Sequence, residues 1–443
     1  MFKNIKSLIA PDNKLRLSWH KLKAMTAAII YRFPADKLRV IGITGTNGKT
    51  TTVTLTTKIL EKAGLKVGMT STVGFKIDRK EWQNKTHKTT LGPFELQKLL
   101  RKMVKAGCEV VVIETSSHAL SQHRVYGISY DIVAVTNVSP EHLDYHKSMK
   151  AYRIEKGKLF KNLMNGTKKS GIDKVAILNA DDPDNFEYFV QFPADRKISY
   201  GLEPAPEGMT EHVTAEDIDL EPKHTTLKIT TSKQTEQVRL HLPGEFNIEN
   251  LLCASSIVHA MDRDLKYINE ACKEVRLIPG RLESIDEGQD FTVYIDFAMT
   301  EDGYEKMLNA VRKTTENNIW VVFGCCGDRD HKKRPKIGEM CAELADKVIV
   351  CDDEPYTEDP NMIREMILEG LRNTKLQLGQ DFWEIPDRAE AIAFACNHAK
   401  KGDTIVIPGM GDHEGRTFAE GIRPWNEREE VRKILRKMNQ ETV

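Results

Sequence analysis

Short apolar segments recur along the first half of the chain and alternate with helical patterns. The helical pattern is clearest in FELQKLLRKMVKAG (94–107). The apolar segments are LRVIGIT (38–44), KVGMTSTV (66–73), CEVVVIE (108–114), YDIVAVT (130–136) and DKVAILN (173–179). Segments of this kind are typical of strands that are buried on both faces. Their alternation with helices predicts an α/β fold with a mostly parallel sheet.

Two changes of pattern divide the chain. Residues 208–242 alternate polar and β-branched positions, which indicates antiparallel hairpins attached to the parallel core. A Pro-Gly breaker in LIPG (277–280) precedes a second series of strands and helices. The strands of this series are FTVYID (291–296), IWVVFG (319–324), KVIVCD (347–352) and DTIVIPG (403–409). We therefore predict a short segment over 1–37, a central domain over 38–278 and a Rossmann-like C-terminal α/β domain over 279–443.

The N-terminal segment combines basic residues with regularly spaced apolar ones. Residues 1–38 contain eight Lys and Arg and two Asp, a balance of +6. The apolar positions are Leu17, Trp19, Leu22, Met25, Ile29, Ile30 and Phe33. This pattern predicts an amphipathic basic helix over 15–33, of the kind that lies on anionic membrane surfaces. We favour the alternative that the helix packs its apolar side on the domain behind it.

Composition excludes several classes of protein. The 443 residues include 65 Lys and Arg and 65 Asp and Glu, so the formal net charge is zero, which argues against a general nucleic-acid binder. Hydrophobic residues make up 40% of the chain and charged residues 29%, as in globular proteins. No apolar run approaches the roughly 18 residues of a membrane-spanning helix, and the start lacks the features of a signal peptide. The eight cysteines form no CxxC pair, so we expect reduced cysteines and a cytoplasmic protein.

The strongest local signal is GITGTNGKTTT (42–52), which follows a predicted strand and opens a predicted helix. Backbone N–H groups of a glycine-rich turn and of a helix N-terminus bind phosphate oxygens. Lys49 would reach the β- and γ-phosphates of a nucleotide, and Thr50 would offer its hydroxyl to Mg²⁺. The general GxxxxGK[ST] pattern is not satisfied, because Ile43 occupies the position of its first glycine. A turn that merely uses glycines for its geometry is the alternative.

Acidic and histidine side chains follow the next two predicted strands. Glu114 ends the strand CEVVVIE and begins a polar cluster that continues to residue 124. The segment 136–160 follows the strand YDIVAVT and supplies His142, His146 and Lys156. Ligands bind at the carboxyl ends of parallel strands, so we expect these groups near the phosphate loop. The Glu114 carboxylate suits Mg²⁺, which prefers oxygen ligands.

A zinc hydrolase is the alternative reading of these side chains. Its ligands would be Glu114, His118, His142 and His146. No HExxH motif is present, and individually these histidines could be surface or core residues. A nucleotide–metal site is the better interpretation, because these side chains and the phosphate loop follow consecutive predicted strands.

Six motifs occur in a fixed order along the chain. They are GTNGKTT (45–51), ETSSHALSQHR (114–124), NVSPEHLDYH (137–146), GEFNIENLLCA (244–254), PGRLE (279–283) and FGCCGDRDHKKRP (323–335). Together they resemble the Mur ligases, and among them the UDP-N-acetylmuramoyl-tripeptide synthetase type, over about residues 38–437. The resemblance implies a P-loop central domain and ATP-dependent amide formation in peptidoglycan precursor synthesis. An acceptor carboxylate would be phosphorylated, and the amine of an amino acid would displace phosphate from the acyl phosphate.

The resemblance also implies roles for individual residues, with ATP and Mg²⁺ as cofactors. The catalytic residues would be Lys49, Glu114, His142 and Lys156. ATP would contact Gly45, Thr46, Asn47, Gly48, Lys49, Thr50, Thr51, Asn247, Asn250, Arg281 and Asp296. Mg²⁺ would be held by Thr50, Glu114, His142 and Lys156, the last as a carbamate that CO₂ makes anionic. The muropeptide-like acceptor would contact Thr89, Thr90, Ser116, Gln122 and Arg124. The amino acid would contact Arg329, Asp353, Glu354, Tyr356 and Glu414.

Some of these roles have ordinary structural alternatives. Arg281 could form a surface ion pair, and Asp296 at a strand end could cap a helix. For these two residues the functional interpretation depends mainly on the resemblance.

Three features depart from the family pattern. Full-length relatives carry a complete UDP-binding domain before the P-loop, whereas only about 40 residues precede it here, too few for an independent core. We therefore expect a different acceptor, or one that is held differently. The stretch that selects diaminopimelate in the family reads Asp353-Glu354-Pro355-Tyr356, with Tyr356 in place of the arginine. Met299 replaces a family histidine, so a detail of nucleotide binding or domain closure should differ.

Other functions stay open at this point. One is a folylpolyglutamate-synthetase-like or lipid-linked-muropeptide ligase, and another is a non-catalytic nucleotide-binding protein. Phosphate release that depends on both an acceptor and an amino acid would distinguish these functions. The remaining expectations are a monomer, no nucleic-acid partner, and a peripheral membrane contact through residues 1–37.

Overall fold

Two large sheets organise the protein in this computed structural model, which describes residues 13–86, 88–221 and 224–441. The strands of the first sheet are β1 (Arg39–Thr44), β2 (Val67–Thr70), β3 (Gly74–Ile77), β4 (Lys80–Gln83), β5 (Val110–Glu114), β6 (Ile132–Val135), β7 (Val175–Asn179), β8 (Arg196–Tyr200), β9 (His212–Glu221), β10 (His224–Thr230) and β11 (Thr235–Leu240). Their order is β11-β10-β9-β8-β7-β6-β1-β5-β2-β3-β4. In this order the central run β9-β8-β7-β6-β1-β5-β2 pairs in parallel, and antiparallel strands extend both edges. The predicted parallel core with attached hairpins is therefore confirmed.

The second sheet follows in the chain. Its strands are β12 (Glu283–Ser284), β13 (Thr292–Ile295), β14 (Ile319–Phe323), β15 (Lys347–Val350), β16 (Phe382–Glu384) and β17 (Thr404–Ile407), in the order β12-β13-β17-β14-β15-β16. All of these pairs are parallel except β12 with β13. A separate hairpin consists of β18 (Gly415–Phe418) and β19 (Gly421–Pro424).

Helices cover both faces of each sheet. In the described residues they are α1 (Lys14–Tyr31), α2 (Lys49–Lys62), α3 (Pro93–Lys105), α4 (Ser117–Ser121), α5 (Leu143–His146), α6 (Met149–Asn165), α7 (Pro183–Phe189), α8 (Phe246–Ala260), α9 (Lys266–Glu274), α10 (Glu301–Arg312), α11 (Lys333–Leu344), α12 (Pro360–Arg372), α13 (Arg388–His398) and α14 (Glu427–Glu441). Successive side chains of a strand point to opposite faces. Ile41 and Ile43 of β1 thus pack with α2, α8 and α9, whereas Val40 packs with α3 and α6. The second sheet packs α10, α11 and α12 on one face and α13 and α14 on the other.

The N-terminal helix α1 attaches to the first domain through its small residues. Ala24, Ala27 and Ala28 are fully buried, and Ala28 lies so close to Gly127 that a Cβ on this glycine would be 2.7 Å from the alanine Cβ. Most of the large apolar residues are exposed instead, namely Leu15, Trp19, Leu22, Ile29, Ile30 and Phe33, while Leu17 and Met25 are half-buried. The expectation that α1 buries its apolar side is therefore wrong, because only a face of alanines lets the helix approach this closely. The part of this segment before residue 13 lies outside the described residues.

Two further expectations can be compared with the structure. All eight cysteines are buried and unpaired, as expected. Among the described residues, no helix combines the length and the apolar character that crossing a bilayer requires.

A buried ion cluster at the start of β6 gives a prediction about stability. The Asp131 carboxylate is fully buried, accepts a 2.8 Å hydrogen bond from the Val40 N–H, and pairs with the ammonium groups of Lys169 and Lys174. Asp131→Ala would leave these cations without their counterion, so we expect it to lower the free energy of unfolding by about 3–5 kcal/mol in urea titrations. Asp262→Ala removes an exposed ion pair with Lys233 and serves as the control, with an expected loss below about 1 kcal/mol. Equal losses for the two variants would contradict the prediction.

Candidate active site

A cavity of about 940 Å³ lies between the two sheets. From the first sheet it is reached by the residues that follow β1, β5 and β6, and from the second by those that follow β13, β14 and β15. These are the carboxyl ends of the parallel strands, where α/β folds bind their ligands. The site predicted from separate motifs is thus assembled where the two sheets face each other.

The phosphate loop begins directly after β1 and ends at the N-terminus of α2. A Cβ at Gly45 would lie 1.8 Å from Thr136 Oγ1, and one at Gly48 would lie 2.0 Å from Asn250 Oδ1, so both positions require glycine. Within the described part of the chain, no side chain caps α2. Its first N–H groups therefore face the cavity without a side-chain acceptor, which suits an anion. The Lys49 ammonium folds back on the loop and donates to the Thr46 carbonyl at 2.6 Å.

Glu114 lies beside the first turn of α2 at the end of β5. Its carboxylate is almost completely buried and accepts hydrogen bonds from Thr50 Oγ1 at 3.0 Å and from the N–H and Oγ1 of Thr72 at 2.8 and 2.9 Å. The Arg281 guanidinium, from the other domain, donates to Thr50 Oγ1 at 3.4 Å. The group consists of oxygen donors next to the phosphate loop, which is the chemistry that Mg²⁺ prefers.

Lys156 of α6 lies beneath the phosphate loop. Its side chain is 1% exposed, and its ammonium donates to the Gly45 carbonyl and lies 4.4 Å from the centre of the Tyr152 ring. Burial, followed by the nearby Lys49, holds the pKa of Lys156 well below its usual value, and Glu141 opposes this shift. The site therefore makes the charged form of Lys156 less favourable than that of a free lysine.

The histidines predicted near this edge form an aromatic cluster. The rings of His118 and His142 are 4.6 Å apart between centroids, and His146 Nε2 lies 3.0 Å from Ser117 Oγ. Burial and the two neighbouring histidines lower the pKa of His118 to about 3. The described residues provide no group of three or more His, Cys, Asp or Glu side chains that could hold a metal ion. The zinc alternative therefore has no ligand set, since Glu114 is turned towards Thr50.

The predicted acceptor residues divide into two groups. Thr89, Ser116 and Arg124 line the cavity, whereas Thr90 and Gln122 do not. The second group holds Arg124: its guanidinium donates to the Thr90 carbonyl at 2.9 Å and to Gln122 Oε1 at 2.7 and 3.0 Å. Thr90 and Gln122 thus position the arginine that faces the cavity.

The predicted nucleotide residues beyond the loop divide in the same way. Asn250 lies against Gly48 in the cavity wall, while Asn247 lies behind it and accepts its side-chain N–H at 3.1 Å. Arg281 stacks its guanidinium on Phe297, 4.7 Å from the ring centre, and is not simply a surface ion pair. Asp296 accepts the backbone N–H groups of Leu282 and Ala298 at 2.7 Å and lines the cavity; it is not a helix cap, because Thr300 caps α10. Burial raises the pKa of Asp296, and Arg281 opposes this shift.

The predicted amino-acid residues are less closely grouped. The Arg329 guanidinium lies 5.3 Å from the centre of the Tyr356 ring, and both line the cavity with Glu354. The Glu354 carboxylate accepts the N–H and Oγ1 of Thr417 at 3.0 and 2.8 Å. Glu414 lies apart, where it pairs with the exposed Lys85 at 3.3 Å beside a second, small cavity.

One more predicted residue of this group lies outside the main cavity. Asp353 is buried behind the wall, with its carboxylate 3.8 Å from Cys326 Sγ. The structure therefore brings Arg329, Glu354 and Tyr356 together but separates Asp353 and Glu414 from them.

Sequence reasoning missed two residues that organise the site. Thr72 supports Glu114, and its place at the end of KVGMTSTV, the strand next to β5, could have revealed it. Asp302 at the start of α10 accepts the Asn47 side-chain N–H at 2.6 Å and the Ser139 hydroxyl at 3.3 Å, and so joins the phosphate loop to the second domain. No local signal indicated this contact, because Asn47 and Asp302 are 255 residues apart in the sequence. Met299 itself lines the cavity, and its carbonyl accepts the Lys333 ammonium at 2.9 Å.

Comparison with known protein families matches residues 43–258 to the Mur ligase middle domain and residues 280–411 to the Mur ligase, glutamate ligase domain. The UDP-N-acetylmuramoyl-L-alanyl-D-glutamate--2,6-diaminopimelate ligase of Bacillus licheniformis is 40% identical over 89% of this chain and 79% of its own. The UDP-N-acetylmuramyl-tripeptide synthetase of Roseiflexus sp. (strain RS-1) is 37% identical over 93% of this chain and 81% of its own.

Solved structures share the fold. A UDP-N-acetylmuramoyl-L-alanyl-D-glutamate--2,6-diaminopimelate ligase superposes with a TM-score of 0.61 at 30% identity, over 91% of this chain and 79% of its own. The MurF ligase of Thermotoga maritima in complex with ADP has a TM-score of 0.68 at 15% identity, over 95% of this chain and 85% of its own, a likeness of fold alone. The α/β fold class predicted from the sequence is confirmed.

Proposed function

Because the chain belongs to the Mur ligase family and is an ATP-dependent, amide-forming ligase, we propose that it joins an amino acid to a carboxylate of a muropeptide-like acceptor in peptidoglycan precursor synthesis. The resemblance inferred from six motifs is confirmed, and so is the class of enzyme. The relatives named as muramoyl-peptide ligases support the acceptor. They do not favour a folylpolyglutamate-synthetase-like enzyme, a ligase for lipid-linked muropeptides or a non-catalytic binding protein.

One observation carries this proposal. The phosphate loop, the Thr50–Glu114 pair and Lys156 face Arg281 and Arg329 of the second domain across a single cavity. Phosphoryl transfer depends mainly on charge neutralisation and in-line positioning, and these groups can supply both. A monomer is part of the proposal, because every group named here comes from one chain.

The chemistry proceeds in two steps that this cavity can hold. An oxygen of the acceptor carboxylate attacks the γ-phosphorus of ATP, and the bond to the ADP oxygen breaks. The amine nitrogen of the amino acid then attacks the acyl carbon, loses a proton, and the phosphate leaves. Lys49 and the N–H groups at the start of α2 would neutralise the phosphates, and Arg124 would orient the acceptor. A cytoplasmic location belongs to the same proposal, because the reaction consumes ATP.

We propose Mg²⁺ as a cofactor in addition to ATP. Thr50 and Glu114 fit a hard cation, since both present oxygen atoms beside the phosphate loop, and the remaining positions around the ion would be taken by phosphate oxygens and water. When bound, the ion would neutralise charge on the transferring phosphoryl group. His142 and Lys156 line the same cavity, and we propose them as the contacts to a second ion.

Carbamylation of Lys156 is proposed on the same grounds. The neutral amine that burial favours can attack the carbon of CO₂, form an N–C bond and lose a proton, which leaves a carbamate anion. An anion at this position would be an oxygen ligand beside His142. A permanently charged ammonium there would repel a metal ion instead.

The test of the proposed function is ADP release from purified protein. UDP-N-acetylmuramoyl-L-alanyl-D-glutamate and the same muropeptide without UDP would each be offered with a panel of amino acids. We expect ADP only when an acceptor and an amino acid are both present, and a product heavier by one amino acid less water. ATP hydrolysis that does not depend on the acceptor or the amino acid would contradict the proposal. The absence of ADP release with every pair of acceptor and amino acid would also contradict it.

The choice of amino acid follows from the groups opposite the phosphate loop. Burial opposes the charged form of Glu354, but His413 and Thr417 outweigh it and lower the pKa, so the carboxylate carries a negative charge that repels the second carboxylate of diaminopimelate. The same charge attracts the ammonium of lysine or ornithine. One charge-assisted hydrogen bond contributes about 1.5–3 kcal/mol, so we expect lysine to be preferred roughly ten- to a hundredfold in kcat/KM.

The matched variant is Glu354→Asn combined with Tyr356→Arg, which should shift the preference towards diaminopimelate. Arg329 remains in both proteins and so controls for the nearby cation. If diaminopimelate is already the best substrate of the unmodified protein, the argument from Glu354 is wrong.

A further inference from the structure

The outer face of α1 carries the densest group of exposed apolar side chains in the described residues. We define the outer stripe as Leu15, Trp19, Leu22, Ile29 and Ile30, which are between 55% and 78% exposed. At 3.6 residues per turn these five positions fall within an arc of about 100°. Elsewhere in the described chain the exposed large apolar residues are scattered, for example Met362 and Leu378.

The stripe is rigidly presented. The opposite face of α1 is held by three buried alanines, and the helix ends where Arg32 and Phe33 adopt left-handed conformations. Asp36, which follows the helix, accepts the Ser129 hydroxyl at 2.7 Å. Reorienting the stripe towards the core would require α1 to leave this close contact.

The charges of α1 identify what can cover the stripe. The helix contains four Lys and Arg and no Asp or Glu. Lys23 borders the stripe on the helix surface, and Lys21 lies beyond its other border; both are exposed. A second copy would bring two cationic helices together without an acidic partner. An anionic lipid surface offers both negative headgroups and an apolar layer.

We propose that α1 is a membrane-surface helix, which places the outer stripe in the headgroup region of an anionic bilayer while the rest of the enzyme stays in water. Trp19 would lie at the boundary between headgroups and acyl chains, where amphipathic aromatic rings are favoured. The contact lies outside the catalytic cavity, so ligase turnover on water-soluble substrates should not depend on it.

The test is sedimentation of the full chain with two kinds of vesicles, phosphatidylcholine alone and a 70:30 mixture with phosphatidylglycerol. We expect binding to the anionic vesicles that weakens as salt rises, because the Debye length shortens to about 8 Å at 0.15 M. Each basic residue near an anionic surface contributes a factor of about five to partitioning. Lys21→Glu/Lys23→Glu should therefore reduce binding about 25-fold or more, whereas the control Lys400→Glu/Lys401→Glu, on an exposed loop of the other domain, should not.

The apolar contribution is tested separately. Trp19→Gln/Leu22→Gln/Ile29→Gln should abolish binding, whereas Met362→Gln/Leu378→Gln, which removes exposed apolar groups elsewhere, should leave it intact. Brominated lipids should quench part of the tryptophan fluorescence of the unmodified protein. This quenching should be absent in Trp19→Phe.

Three outcomes would overturn the proposal. They are the absence of binding to anionic vesicles at low salt, equal binding by the stripe variant and its control, and lipid-independent dimers that the stripe substitutions dissolve. The last would assign the stripe to a second copy of the chain.

Discussion

Lys156→Ala is expected to lower ligase turnover by about 10²–10³-fold while leaving ATP affinity nearly unchanged. The effect is large because the variant removes the proposed carbamate, an anion that would help to hold a metal ion beside the transferring phosphoryl group. ATP affinity should persist because the loop glycines and Lys49 remain in place. The measurements are kcat from ADP release and Kd from nucleotide titration.

Three variants separate the explanations. Lys156→Arg keeps a positive charge but cannot be carbamylated, so it should be as inactive as the alanine variant. A short carboxylic acid should partly restore turnover in Lys156→Ala. High bicarbonate should raise turnover only in the unmodified protein, which keeps the amine. Lys158→Ala, on the same helix and paired with Glu155 at the surface, should be unaffected. Turnover near the unmodified level in Lys156→Ala would remove this residue from the mechanism.

The lowered pKa of Lys156 also predicts the direction of the pH dependence. A neutral amine is needed for reaction with CO₂, and burial moves the pKa of Lys156 well below that of a free lysine. The carbamylated fraction should therefore stay high at pH values where a free lysine is protonated. It should fall as the pH drops through the lowered pKa, and turnover should fall with it in fixed bicarbonate.

Glu114→Gln is expected to lower kcat about 100-fold and to raise the Mg²⁺ concentration that half-maximal turnover requires. The glutamine amide can still accept one hydrogen bond from Thr72 or Thr50, but it carries no charge to hold a divalent cation. Chelation of Mg²⁺ by EDTA should abolish turnover in both proteins. Kinetics over a range of Mg²⁺ concentrations provides the measurement.

Glu109→Gln is the matched control, because Glu109 lies at the opposite end of the same strand, where its side chain accepts the exposed Lys66 N–H. Its Mg²⁺ dependence should equal that of the unmodified protein. An unchanged Mg²⁺ requirement in Glu114→Gln, with unchanged urea unfolding, would mean that the carboxylate holds no metal ion.

Helix α1 shows what a sequence pattern predicts and what depends on packing. The spacing of apolar residues correctly predicts a helix, since periodicity reflects the geometry of the backbone itself. It does not say which face meets the rest of the protein. That depends on the surface behind the helix, where Gly127 leaves room for alanines but not for Leu or Ile side chains.

The candidate site shows the same division. The phosphate loop, Glu114 and Lys156 could be predicted because the loop follows β1, Glu114 ends β5 and Lys156 lies on a helix after β6, and parallel strands end at one edge of a sheet. Contacts across the cavity could not, because their partners are far apart in the sequence: Asn47 and Asp302 are separated by 255 residues, and Thr50 and Arg281 by 231. The sequence also did not predict that Asn247 and Gln122 support Asn250 and Arg124 rather than line the cavity themselves.

The amino-acid sequence by itself determined the α/β class, the strand–loop–helix unit that holds phosphate, and the family. These depend on interactions within short stretches, where strand periodicity, glycine geometry and helix starts are local properties of the chain. Only the tertiary structure decided that Glu414 pairs with Lys85 away from Tyr356, that Glu114 depends on Thr72, and that the apolar face of α1 points outward. Each of these results from how separate elements pack against one another, and the packing minimises buried unpaired charge and empty volume over the whole molecule rather than within any one segment.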